Sequence, residues 1–142
     1  MGKILIVDDD AAFLEVIGSY LAENYPHLQV ITCGKPFQAL QFISKNDLDL
    51  LVIDLEMPDL DGSKLFRYAV GTGMDAKRIV ILSGREAEYL HEHFPLGTCL
   101  AVLNKFEAKQ KVVLDMIFNS LNRKAAARGM LDTVGESKAK EN

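Results

Sequence analysis

Five short apolar runs punctuate this chain, and after four of the five the apolar residues switch to helical spacing. That alternation restricts the fold more than any other feature. "KILIVD" (Lys3 to Asp8) reads as a first strand, and Phe13, Val16, Ile17, Tyr20 and Leu21 then repeat as one face of a helix that Pro26 ends. "LQVITC" (Leu28 to Cys33) is a second strand, followed by a helix with Pro36 in its first turn and Phe37, Leu40 and Ile43 on its apolar face. "LDLLVID" (Leu48 to Asp54) is a third, and its unbroken apolar run suits a strand covered on both faces. Ser63 is the expected cap of the next helix, with Leu65, Phe66, Ala69 and Val70, and "GTG" at Gly71 to Gly73 ends it as a turn. "RIVILS" (Arg78 to Ser83) and "TCLAVLN" (Thr98 to Asn104) are strands four and five. A polar helix from Arg85 to Phe94 lies between them, and a last helix from Glu107 has Val113, Ile117 and Leu121 as its expected buried stripe. Connections too long for hairpins imply parallel strands joined by right-handed crossovers, with helices on both faces.

The 142 residues suit one domain. No apolar run approaches the roughly 18 residues of a membrane span, and "MGKILIVDDD" has too short an apolar stretch for a signal peptide. The expectation is a cytoplasmic protein in which Cys33 and Cys99 are free and packed. The net charge of -4 is uneven. From Asn122 onward five basic residues (Arg123, Lys124, Arg128, Lys138, Lys140) face three acids, so the body carries 11 basic and 17 acidic residues. An acidic body argues against nucleic-acid contact by this domain. Residues 1–121 are expected to form the domain. Residues 122–142 should extend the last helix, be interrupted at Gly129, and finish in a polar, frayed tail.

The carboxyl ends of parallel strands open on one edge, where ligands bind. Asp8 and Asp9 end strand one, Asp54 ends strand three, Ser83 ends strand four, and Lys105 follows strand five. Three converging carboxylates repel, and a hard divalent cation with oxygen ligands, such as magnesium, relieves that repulsion. A lysine and a hydroxyl beside it are what a phosphoryl group's oxygens need, and a carboxylate can itself be the nucleophile. The residues therefore support magnesium-dependent phosphoryl transfer to an aspartate.

From Lys3 to about Leu121 the sequence resembles a response-regulator receiver domain of two-component signalling, CheY-like in type. The acidic pair after "ILIV", the D-x-x-M-P-x-x-D-G loop from Asp54, the Ser-Gly after strand four and the lysine after strand five carry the likeness. The resemblance implies a single (βα)5 doubly wound, flavodoxin-like α/β domain with strand order 2-1-3-4-5. It implies Asp54 as phosphoacceptor, with Ser83 and Lys105 contacting the phosphoryl group. Asp8, Asp9, Asp54 and the backbone carbonyl of Glu56 would ligate magnesium, with manganese as a substitute. A histidine kinase, a phosphotransfer protein or a small phosphodonor would supply the group. A signalling role follows, with self-catalysed phosphorylation and hydrolysis and no metabolic turnover. Output to a protein partner would use the face of helix four, strand five and helix five, and a phosphorylation-dependent homodimer is compatible with it.

The likeness has departures. Phe106 stands where the family has proline, so the Lys105–Phe106 peptide is expected to be trans. Val102 replaces a common aromatic switch residue, which puts the usual serine–aromatic coupling in question. Glu56 and Arg85, each two residues past a site residue, are expected to pair across the site and slow the hydrolytic water. A non-switching interaction module and a receiver cut from a longer transcriptional or enzymatic regulator stay open as alternatives. A haloacid-dehalogenase-type phosphatase, also with an aspartate nucleophile, would place a second aspartate where Glu56 stands. "HEH" at His91 to His93 suits neither face of a helix as a metal site, and Asp10, Asp59 and Asp61 read as loop or cap residues.

Overall fold

The computed structural model describes residues 2–85, 87–95, 97–105 and 107–141. Five parallel strands, β1 (Gly2–Val7), β2 (Leu28–Cys33), β3 (Leu50–Asp54), β4 (Ile79–Ser83) and β5 (Ala101–Asn104), form one sheet in the order β2-β1-β3-β4-β5. The helices α1 (Ala11–Asn24), α2 (Pro36–Ser44), α3 (Gly62–Gly71), α4 (Ala87–His93) and α5 (Ala108–Glu141) connect and cover it. The expected architecture and strand order are therefore those of the molecule.

Alternation along the strands splits the core into two layers. Leu5, Val7, Leu51, Ile53, Ile79 and Ile81 face α2, α3 and α4, packing with Ala39, Ile43, Leu65, Ala69 and Leu90. Ile4, Ile6, Leu50, Val52, Val80 and Leu82 face α1 and α5, packing with Leu14, Ile17, Leu21, Leu114 and Phe118. Every residue of β3 and β4 is buried, which is why those runs read as unbroken apolar blocks. Each fully buried Leu or Ile is worth about 1.5–3 kcal/mol, so the layers dominate the stability. Across the second layer, the Tyr20 and Tyr25 hydroxyls both donate to Asp115 Oδ1, at 2.6 and 3.0 Å, tying α1 to α5. Burial and the Asp115 carboxylate both push the Tyr25 hydroxyl above its ordinary range. Cys33 and Cys99 are free and buried, as expected.

Several boundaries differ from the sequence reading, each for a physical reason. β3 starts at Leu50 because the Asp49 amide already bonds to Lys3 O at 2.8 Å outside the ladder. β5 starts at Ala101, since the Thr98 amide and hydroxyl both turn back to Pro95 O. Asp61, not Ser63, caps α3, its Oδ1 accepting from the Ser63 amide at 2.9 Å. Arg85 lies before α4, whose bounds are Ala87 and His93. The stripe of α5 is rotated by about one residue: Leu114, Phe118 and Ala125 are buried, whereas Val113, Ile117 and Leu121 are half-buried. Phe37, expected on the apolar face of α2, is exposed. Gly129 does not interrupt α5, which runs through it; positive φ among the described glycines occurs at Gly73 and Gly97. A glycine without a left-handed φ merely weakens a helix by about 1 kcal/mol.

Candidate functional site

Parallel register sets the carboxyl ends of β1, β3, β4 and β5 side by side. Val7 pairs with Ile53, Asp54 with Leu82, and Ser83 with Asn104. Asp8, Asp54, Ser83 and Lys105 thus converge on one edge, where strand order reverses between β1 and β3. Asp8, Asp54 and Ser83 are buried, and Asp9 is exposed at the rim.

Lys105 is the hub. Its Nζ lies 2.5 Å from Asp8 Oδ2 and 3.3 Å from Asp54 Oδ2, over the Phe13 ring at 5.1 Å. Its backbone amide donates to Ser83 O at 2.9 Å, which fixes where the side chain leaves the sheet. Burial lowers the ammonium's proton affinity, but Asp8 and Asp54 outweigh burial and hold it above its ordinary range. The remaining carboxylate oxygens accept from the backbone two residues on: Asp8 Oδ1 from the Asp10 amide at 2.9 Å, Asp54 Oδ1 from the Glu56 amide at 3.1 Å. Asp10 also caps α1 through the Phe13 amide. Burial pushes the Asp54 carboxyl up to about 7; the Glu56 amide and Lys105 oppose this, and Asp8 adds to it.

Asp8, Asp9 and Asp54 each offer an oxygen, and these three atoms lie within 4.8 Å of one another. Asp8 Oδ2 is buried against the Lys105 ammonium and accepts from no other group among the described residues. An all-oxygen set of this span, carrying excess negative charge, fits a hard divalent cation.

The loop after β3 is closed by Leu55 and Gly62. The Leu55 amide donates to Leu82 O at 3.0 Å, and the Gly62 amide to Leu55 O at 3.2 Å. A Cβ at Gly62 would sit 2.3 Å from Asp54 O and 2.6 Å from the Leu55 Cα, so only glycine lets the loop lie against the strand. Asp59 is exposed on this loop.

The sequence missed how completely the Glu56 side chain is engaged. Ser83 Oγ donates to Glu56 Oε1 at 2.7 Å, and the Gly84 amide donates to Oε2 at 3.3 Å. Arg85 Nε stands 3.6 Å from Oε1, and the Arg85 amide donates back to Ser83 Oγ at 3.0 Å. An Asp-x-Glu preceding a Ser-Gly-Arg could have signalled an acid facing a hydroxyl, but only the fold brings the two loops together. The Arg85 guanidinium lies over the Tyr89 ring at 5.0 Å, and Tyr89 stacks on His93 at 4.1 Å. His91 and His93 are exposed and belong to no metal-binding group among the described residues. Val102 is half-buried in β5 against the first core layer. The Lys105–Phe106 peptide lies outside the described residues.

The family model for the response regulator receiver domain matches residues 4–116. The two-component response regulator ORR24 of Oryza sativa subsp. indica is 29% identical over 137 residues, covering 94% of this chain and 21% of its own. The Arabidopsis thaliana response regulator ARR12 is 33% identical over 99 residues, covering 68% of this chain and 16% of its own. The chain thus spans about a fifth of the length of such relatives. Among solved structures, the receiver domain of Francisella response regulator 1452 superposes with a TM-score of 0.70 at 25% identity, covering 87% of this chain and 98% of that one. The BeF3-activated N-terminal receiver domain of Klebsiella pneumoniae RstA gives 0.69 at 24%, covering 84% and 98%.

Proposed function

This chain belongs to the response regulator receiver domain family of two-component signalling, and from that premise we propose that Asp54 is its phosphoacceptor. The observation that carries the reading is the Lys105 ammonium set between the buried Asp8 and Asp54 carboxylates at the carboxyl edge of the sheet. An Asp54 oxygen forms a bond to phosphorus as the bond from phosphorus to the donor's leaving group breaks, and that group departs with the electron pair. The leaving group is a histidine nitrogen of a kinase or phosphotransfer protein, or the acyl oxygen of a small phosphodonor. Lys105, already within reach of Asp54 Oδ2, pairs with a phosphoryl oxygen, and Ser83 donates a hydrogen bond to another. Asp8, Asp9, Asp54 and the Glu56 carbonyl would hold magnesium, which when bound neutralises charge on the transferring group.

Cytoplasmic placement belongs to the same reading; no described helix is long and apolar enough to cross a membrane. So does a protein partner on the face of α4, β5 and α5. The test is incubation with acetyl phosphate and magnesium, followed by intact mass. One phosphoryl adduct, lost in Asp54→Asn and without added magnesium, is the expected result. No adduct in the wild-type protein would reject the phosphoacceptor reading and favour a non-switching module.

A further inference from the structure

A hydroxyl has one proton to give, and in this structure Ser83 has given it to Glu56. The 2.7 Å bond to Glu56 Oε1 uses the Ser83 proton, and the Arg85 amide, donating to the same oxygen at 3.0 Å, orients it. The Gly84 amide proton is turned to Glu56 Oε2. The arginine guanidinium beside them completes a set of donors around one carboxylate. Such a set, a hydroxyl, a backbone amide and a cation, is also what receives a phosphoryl oxygen.

We propose that Glu56 is an internal stand-in for the phosphoryl group: its carboxylate occupies the Ser83 and Gly84 donors while Asp54 is unmodified, and phosphorylation must displace it. This rests on Asp54 as the phosphoacceptor. The geometry makes the competition strict. Glu56 is anchored to Asp54 through its own amide at 3.1 Å, so its side chain is always within reach of the loop after β4. A phosphoryl group on Asp54 brings further negative charge to the same corner, where Ser83 cannot serve two acceptors. Nor can the corner cheaply hold two anions. Glu56 therefore works as a positioning residue, presetting the Ser83 hydroxyl and setting how tightly a phosphoryl group is held. Its exposed side leaves it a way out: the Glu56 side chain is 39% accessible, whereas Ser83 is fully buried.

The test uses beryllofluoride, a tetrahedral phosphoryl mimic, with magnesium, on the wild type, Glu56→Ala, Ser83→Ala and the double variant. Charge-assisted hydrogen bonds are strong enough that Glu56→Ala should bind beryllofluoride about tenfold tighter or more. In the Ser83→Ala background the same change should give less than about half of that gain in free energy, because the contested donor is gone. An equal gain in both backgrounds would mean simple charge repulsion and would overturn the proposal, as would no gain in Glu56→Ala. In the metal-free protein without beryllofluoride, the Gly84 amide proton resonance should move upfield in Glu56→Ala; an unmoved resonance also overturns it. If the wild type fails to take up beryllofluoride, the phosphoacceptor reading falls and this inference with it. Uptake without gain removes the inference alone.

Discussion

Replacing Asp54 with asparagine should make the metal-free protein more stable, and only above mildly acidic pH. The Asp54 carboxyl is raised from the ordinary 3.8 to about 7, chiefly by burial. A group with a raised folded-state pKa binds its proton more tightly in the folded than in the unfolded chain. Its contribution is therefore fully present below pH 3.8 and is lost as pH rises through about 7. Each pH unit between those values costs about 1.4 kcal/mol, which sets a ceiling of about 4 kcal/mol by pH 8. Asparagine keeps the shape and an acceptor for the Glu56 amide, and the attraction of Lys105 at 3.3 Å is already contained in the raised value. The net gain expected at pH 8 is therefore about 2–4 kcal/mol, within the range of about 1–4 kcal/mol for replacing buried charge by a neutral group of similar volume. Urea unfolding of both proteins in EDTA, at pH 4.5 and pH 8, measures it. The gain should be present at pH 8 and should shrink to about 1 kcal/mol at pH 4.5, where the folded carboxyl is still protonated. An Asp54→Asn protein no more stable than wild type at pH 8, or one with the same advantage at both pH values, would refute the reasoning. Adding magnesium should then stabilise the wild type more than the variant, since a ligand stabilises by its affinity for the folded site.

Lys105→Ala should cut the initial rate of labelling by acetyl phosphate at least tenfold while strengthening magnesium binding by calorimetry, because the ammonium 2.5 Å from Asp8 Oδ2 no longer competes with the metal. Gly62→Ala should destabilise the fold by about 1–3 kcal/mol in urea, the range for overpacking, because the contacts of its Cβ would be backbone atoms of Asp54 and Leu55. Gly71→Ala, whose Cβ meets nothing within 4 Å, is the matched control and should change little. Asp115→Ala removes the carboxylate oxygen to which both tyrosine hydroxyls donate between α1 and α5, leaving Tyr25 only the backbone carbonyl of residue 115 at 3.4 Å, and should cost about 1–3 kcal/mol. In the same variant, ultraviolet titration should show tyrosine ionisation moving back toward the ordinary value, since Asp115 raises both Tyr20 and Tyr25.

The middle of the sheet was readable because β3 and β4 are buried on both faces. Leu50 to Asp54 and Ile79 to Ser83 have no exposed position to break the apolar run. Their ends were readable for the complementary reason, since a carboxylate or hydroxyl closing such a run has no place in a core. Edges were harder. Thr98 to Leu100 have strand-like composition, yet Thr98 satisfies both its amide and its hydroxyl on Pro95 O before the ladder begins. Asp61 and Ser63 are both cap residues two positions apart, and sequence alone does not choose between them. On α5 a shift of about one residue separates the stripe expected from Val113 and Ile117 from the buried Leu114 and Phe118, because Val112 and Met116 put apolar residues on the solvent face as well. The grip of Ser83 and Gly84 on Glu56 has no periodicity to betray it. It joins two loops 27 residues apart, and only the pairing of β3 with β4 brings them together.

The row formed by Arg85, Tyr89 and His93 gives the Glu56 contact a route to the surface of α4. Thermodynamic linkage is reciprocal. A protein that binds this row more tightly once Arg85 has parted from Glu56 would tighten the hold on a phosphoryl group at Asp54 by the same factor. Such a listener would lengthen the message it receives, and the duration of the signal would belong to the complex rather than to this domain alone.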